Sequence, residues 1–391
     1  MHAWILTCAA SVAGAAAPTG SATADKAVLT WRGADTPLSE LSEVLDELDE
    51  LGPGPRATIE AWAPFAAQNA YALYLTDDGR VLHVAPPGAR DAKKARELIA
   101  RTTEYCDALL PLPNPGPMTG AGAGGSPKKE GASGGGARRD TWTTGEPPWQ
   151  RDAETAVLLA ARGQAEYVAA LESLAGRHAY LGDWVSSARG FAGCTLERPL
   201  CAIWLLEGEG LDEFRPENEL VHRLATLLLL RRFDRQPPWL QQGLAWHVEE
   251  ELLGSIYCFP GRDGFVFATE HGDWDKALRA AHRKTESLEF ADVAALERGR
   301  FDAEAAHRAF GAATFLARYR AEELPRLLES LRELRAEKSV IHSPDGTWTR
   351  VPDYQPSAAE QEALLREAAG DDVLTELLRF YRKGKAYKPP K

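Results

Sequence analysis

Two short segments carry side chains whose types and spacing could do chemistry. The first is Pro216-Glu217-Asn218-Glu219-Leu220-Val221-His222-Arg223-Leu224. On a helix, positions 218 and 222 are four apart and share a face, with Glu219 beside them. A histidine at 218 would complete His-Glu-x-x-His, in which two imidazoles hold zinc and the glutamate is the general base. Position 218 is asparagine. The second segment is Pro237-Pro238-Trp239-Leu240-Gln241-Gln242-Gly243-Leu244-Ala245-Trp246-His247-Val248-Glu249, and 19 residues lie between His222 and Gln242.

Together the segments resemble the thermolysin-like gluzincin metallopeptidases, in particular the small bacterial "peptidase MA-like" branch. There His-Glu-x-x-His is followed by Pro-x-Trp-Leu-x-Glu-Gly-Leu-Ala. The matching span is about 155–381. The resemblance implies an α+β peptidase fold with an edge strand, 199–206, beside the cleft. It also implies that Asn218, His222 and Gln242 stand where zinc ligands stand, with Glu219 as a vestigial general base. Two of those three positions carry amides. An amide oxygen is a neutral, weak ligand better suited to hard cations. A complete structural zinc site is worth ~10–16 kcal/mol, and losing two strong donors removes roughly 5 kcal/mol of that. At ~1.4 kcal/mol per decade, affinity falls by three to four orders of magnitude. Without zinc, no water near pKa ~7 is generated for Glu219 to deprotonate.

The expectation is therefore a catalytically inactive metallopeptidase-like protein without a cofactor, in which Asn218, His222 and Gln242 hydrogen-bond to one another in the former metal pocket. Asn and Gln each donate and accept, and His222 can match either tautomer. The competing readings are an active zinc peptidase with borrowed ligands and a purely structural protein with a filled cleft. Among possible replacement ligands, His247 lies about 140° round the helix from Gln242, and Glu249 shares its face about 10 Å further on. His271, His282 and His307 would have to fold in from distant segments. The charged runs 249–251 and 332–338 read as solvated faces.

Other chemistries find little support. There is no Gly-x-Ser-x-Gly elbow, Walker loop or Rossmann fingerprint. The glycines of 120–125 neither follow a strand nor open a helix. Nothing local favours Cys201 or Cys258 as a nucleophile.

The elements that must position these residues follow from patterning. At 391 residues the chain has room for two or three domains. Its net charge of −12 argues against non-specific nucleic-acid binding and a polybasic membrane anchor. No apolar run after the first 20 residues is long enough to span a membrane.

Residues 1–24 read as a signal peptide, with an apolar Ala3–Ala17 stretch and Ala22-Thr23-Ala24 before Asp25, although the n-region lacks Lys and Arg. That predicts an exported protein whose partner is a polypeptide, glycan or other cell-envelope component. It leaves Cys106, Cys194, Cys201 and Cys258 as either buried thiols or disulfides, Cys194 and Cys201 being near enough in sequence to bridge.

Residues 25–110 form a small α+β region. It has a helix over 38–51 stopped by Gly52-Pro53, a hairpin of 71–75 and 80–85 around Asp78-Gly79, and a helix over 90–110. Residues 111–141 are a Gly/Pro-rich linker. The mostly helical gluzincin-like domain, with a small sheet, occupies 142–382. It is read as strands at 155–161 and 199–206, helices at 164–174, 217–233, 238–253, 301–336, 357–369 and 372–381, and a hairpin at 255–268. A loose basic tail, 383–391, ends the chain.

Overall fold

A computed structural model describes residues 27–111, 154–207, 215–256, 273–297, 302–342, 348–350 and 354–389. The expected signal peptide, linker and 255–268 hairpin beyond Ile256, and His271, Cys8 and Cys258, lie outside them, in whole or nearly so.

The chain is α+β, mostly helical, around one mixed sheet of seven strands. The first region contributes β1 (Val28–Trp31), β2 (Ala34–Pro37), α1 (Ser42–Leu48), α2 (Pro53–Asn69), β3 (Ala72–Leu75), β4 (Val81–Ala85) and α3 (Ala89–Leu109). The hairpin read at Asp78-Gly79 is β3–β4, and Gly79 takes φ +72°, a conformation that costs glycine little. Gly52-Pro53 does stop a helix, but Pro53 also starts one. A proline at the first helical position lacks only an amide that has no helical partner there, so α2 runs on for 17 residues.

After the linker come β5 (Ala156–Ala161), α4 (Gln164–Arg177), α5 (Gly182–Ala188), β6 (Gly193–Leu196), β7 (Cys201–Leu205), α6 (Pro216–Phe233), α7 (Pro238–Leu253), α8 (Trp274–His282), α9 (Phe290–Ala294), α10 (Ala303–Tyr319) and α11 (Leu324–Lys338). A small ribbon, β8 (Val340–His342) and β9 (Trp348–Arg350), and the helices α12 (Ala358–Ala369) and α13 (Val373–Lys383) complete the elements used below.

The sheet order is β2-β1-β3-β4-β5-β7-β6. β4 and β5 pair in parallel, Leu82 opposite Val157, so the regions before and after the linker share one sheet. All six residues of β5 are buried, as an apolar run covered on both faces requires. Its side chains alternate between two cores. Val157, Leu159 and Ala161 face α2, α4 and α5, whereas Ala156, Leu158 and Ala160 face α3 and α6. A third, all-helical core forms around Trp246, Phe310 and Phe315.

Two expectations are corrected, and of the two readings of the cysteines the buried thiols hold for those described. The strand expected over 199–206 at the cleft edge is β7, which is internal; β6 pairs outside it and forms the sheet edge. The tail is not loose throughout, because Tyr387 is buried among Phe315, Tyr319 and Phe380. Cys194 and Cys201 do not bridge. They sit on neighbouring strands but out of register, Cys194 opposite Ile203 and Cys201 opposite Leu196. Both are buried free thiols, as is Cys106. Burial pushes the Cys106 thiol up to about 12 and raises Cys201 too, which disfavours the nucleophilic thiolate.

Candidate functional site: a closed polar cluster between two buried helices

Along 218–231 of α6 and 239–249 of α7 nearly every residue is buried, polar ones included. A polar side chain on either has no solvent and must find a partner. Pro216 and Pro238 sit in the first turns and set where each helix begins. That start puts Asn218 and His222 opposite Gln242 and Glu249.

His222 is the centre of the cluster. Its Nδ1 lies 2.6 Å from Glu249 Oε1, and its Nε2 lies 2.9 Å from Gln242 Oε1. Asn218 Nδ2 donates to Glu249 Oε2 and to the Ser255 carbonyl, each at 2.9 Å. Asn218, His222 and Gln242 are each 2% exposed, and Glu249 is 0% exposed. With oxygens facing both ring nitrogens as placed, the ring can donate to Glu249 and to Gln242. Turning the Gln242 amide would let Nε2 accept instead. Either way the ring is fully partnered.

Glu249 therefore does not lie on a solvated face. The span along α7 that separates it from Gln242 is bridged by the His222 imidazole, which reaches both. The signal for it was its place seven residues after Gln242, on the same side of the helix.

Glu219 is ion-paired along its own helix. Its carboxylate accepts from Arg223 Nε at 2.8 Å, one turn on, with both residues at 2% exposure or less. Arg223 Nη1 in turn donates to Thr195 Oγ1 of the edge strand β6 at 2.6 Å. A Cβ added at Gly193 would come within 2.7 Å of Arg223 Nη2, so the absence of a side chain there gives the guanidinium its room. Arg223 thus fills the space between α6 and β6. The cavity left beside Gln242 measures about 50 Å³, room for a few waters.

No family model matches the chain, and no curated protein is significantly similar to it.

The resemblance implied zinc ligands at positions 218, 222 and 242. The residues there do not fit such a site. His222 has both nitrogens engaged, its two companions are amides, and the expected base is ion-paired. Among the described residues, no three His, Cys, Asp or Glu side chains converge as a metal site. His247 is buried on α7 but points elsewhere: Tyr105 OH lies 2.9 Å from its Nε2 and Thr314 Oγ1 lies 3.3 Å from its Nδ1. Burial pushes His247 down to about 4, so it is neutral and ties α3, α7 and α10 together. His307 packs its ring edge-on against Trp274, and His282 packs against Tyr381.

Proposed function

We propose that this chain is a non-catalytic protein with a metallopeptidase-like helix pair, serving a binding or scaffolding role. The observation that carries this reading is the His222 imidazole held between Glu249 and Gln242. A zinc ion would have to displace a buried hydrogen bond to take either ring nitrogen. The Glu219–Arg223 pair supports it as well, since a general base needs its carboxylate free to reach a water. The Asn218–His222–Gln242–Glu249 cluster then serves to fasten α6 to α7. A polypeptide partner would meet the molecule elsewhere, for instance along the outer side of β6, which among the described residues pairs only with β7.

The test is zinc content by elemental mass spectrometry on the full chain, purified without chelator or metal-affinity tag, beside Asn218→His/Gln242→Glu. We expect well under 0.1 zinc per chain in the unaltered protein and near one in the double variant. Near one zinc in the unaltered protein would overturn the non-catalytic reading. No zinc in either would overturn the metallopeptidase-like layout.

A further inference from the structure

On the other flank of α6 the sheet opens into a cavity of about 420 Å³. It lies at the carboxyl ends of the parallel strands β4, β5 and β7. There the chain leaves β4 for α3 on one face of the sheet and leaves β5 for α4 on the other. Adjacent parallel strands whose connections diverge in this way leave a crevice, the usual place for a ligand in an open α/β sheet. The volume falls in the range of small-molecule sites.

The floor comes from alternate residues of the strands: Tyr74, His83, Ala160 and Trp204, with Leu206 and Leu220 beside them. It is apolar and aromatic apart from His83, which is 7% exposed and has no hydrogen-bond partner among the described residues. Burial, with the nearby charge of Arg96, pushes His83 down to about 4, so one nitrogen donates and the other accepts.

Among the described residues, two cations line the cavity. Lys94 is ion-paired with Glu217. Arg96 lies over the Tyr74 ring at 5.0 Å and gives one hydrogen bond, Nη2 to Thr30 Oγ1 at 3.1 Å. It has no carboxylate partner among the described residues, and its Nε is buried without an acceptor. A guanidinium held by an aromatic face and a hydroxyl, and left without an anion, is suited to a planar oxyanion. The charge count selects which one. Asp91, Glu207 and Glu217 also line the cavity, so a dianion such as a phosphate monoester would meet more repulsion than one free arginine offsets.

We propose that this cavity binds a small organic carboxylate, its head on Arg96 and His83 and its apolar or aromatic body over Tyr74, Trp204 and Leu206. The site is separate from the His222 cluster and does not depend on the reading of that cluster.

The test uses the full chain with benzoate, hexanoate, benzamide, hexanamide and phenyl phosphate, by saturation-transfer NMR and titration calorimetry. Benzoate and hexanoate are expected to bind at least ten-fold tighter than their amides and than phenyl phosphate. Arg96→Gln is expected to weaken the acids at least ten-fold while leaving the amides within two-fold. Arg96 is half-buried against Tyr74 and Thr30, so a thermal melt will show whether that variant folds. Leu206→Trp, which narrows the cavity from its rim, should weaken acids and amides alike. Failure of both acids to bind, amides binding as tightly as acids, tighter phenyl phosphate, or acids indifferent to Arg96→Gln would each overturn the proposal.

Discussion

The Glu219–Arg223 pair separates a catalytic glutamate from a structural one. In a working metallopeptidase the general base can be changed to glutamine with loss of activity and little loss of stability. Here Glu219→Gln strands a guanidinium that is 2% exposed. Removing one member of a buried pair costs about 3–5 kcal/mol, and the neutral amide keeps part of the contact, so a loss of about 3 kcal/mol is expected. Glu219→Gln/Arg223→Met should recover at least half of it, because the uncompensated charge is gone. Urea unfolding of the two variants decides the matter, and a single variant as stable as the natural chain would contradict a structural role. At this scale the sequence was partly legible. Asn218, His222 and Gln242 could be grouped by helical spacing and resemblance; His222 does bond Gln242, whereas Asn218 is joined to them through Glu249 rather than directly. Their partners were not legible. Glu249 sits in a run of three acids that reads as surface. Arg223 follows Glu219 at the spacing of an ordinary solvated helix pair. Burial of α6 and of the facing stretch of α7, a tertiary fact, decides both cases.

Among the elements, the strongest constraint is the crossing of α7 and α10. The glycine in Trp239-Leu240-Gln241-Gln242-Gly243 sits where a Cβ would come within 2.4 Å of the Ala309 carbonyl oxygen and 2.7 Å of Ala313 Cβ. Backbone cannot yield as a flexible side chain can, so Gly243→Ala must push the helices apart. Overpacking of this kind costs about 1–3 kcal/mol, which should appear as a lower urea midpoint at unchanged m-value. The control is Gly176→Ala on α4, where nothing lies within 4 Å. That change should be neutral or stabilising by up to about 1 kcal/mol through helix propensity. Equal effects at the two sites would mean that the crossing is not tight. Most long elements were readable from period and punctuation, including β5, α6, α7 and the β3–β4 hairpin. What was missed has local causes. The proline that closes one helix opens α2, the strand read as an edge is covered by the short β6, and Tyr387 sits in a basic stretch whose composition hides its contacts.

For the whole molecule, two buried neutral histidines set a pH dependence, and one sheet sets the cooperativity. His83 and His247 have folded-state values of about 4, below the ordinary ~6.5 of the unfolded chain. The unfolded chain therefore takes up protons first as pH falls. Stability contributed by these groups is present above pH ~6.5 and is lost towards pH ~4, about 2 kcal/mol per histidine between pH 7 and pH 5. His247→Gln can still bond Tyr105 and Thr314, and it should remove one such share from the pH 7 to pH 5 difference in urea stability. An unchanged difference would remove His247 from the account. The sheet makes a second demand. Read from sequence, the Gly/Pro-rich stretch between 111 and 141 looked like a boundary between units, because composition does not report which strands pair across it. The β4–β5 ladder and the core shared by Leu82, Val84, Val157 and Leu159 cross that boundary. Neither part can lose the other without exposing a central strand and half of a core, so the two should fold as one. A protease site inserted within 120–125 tests this directly. After cleavage the fragments should co-elute on size exclusion and unfold in a single transition at the midpoint of the uncut chain or a little below. Fragments that elute separately and each melt cooperatively would show two autonomous domains and would contradict the continuous sheet.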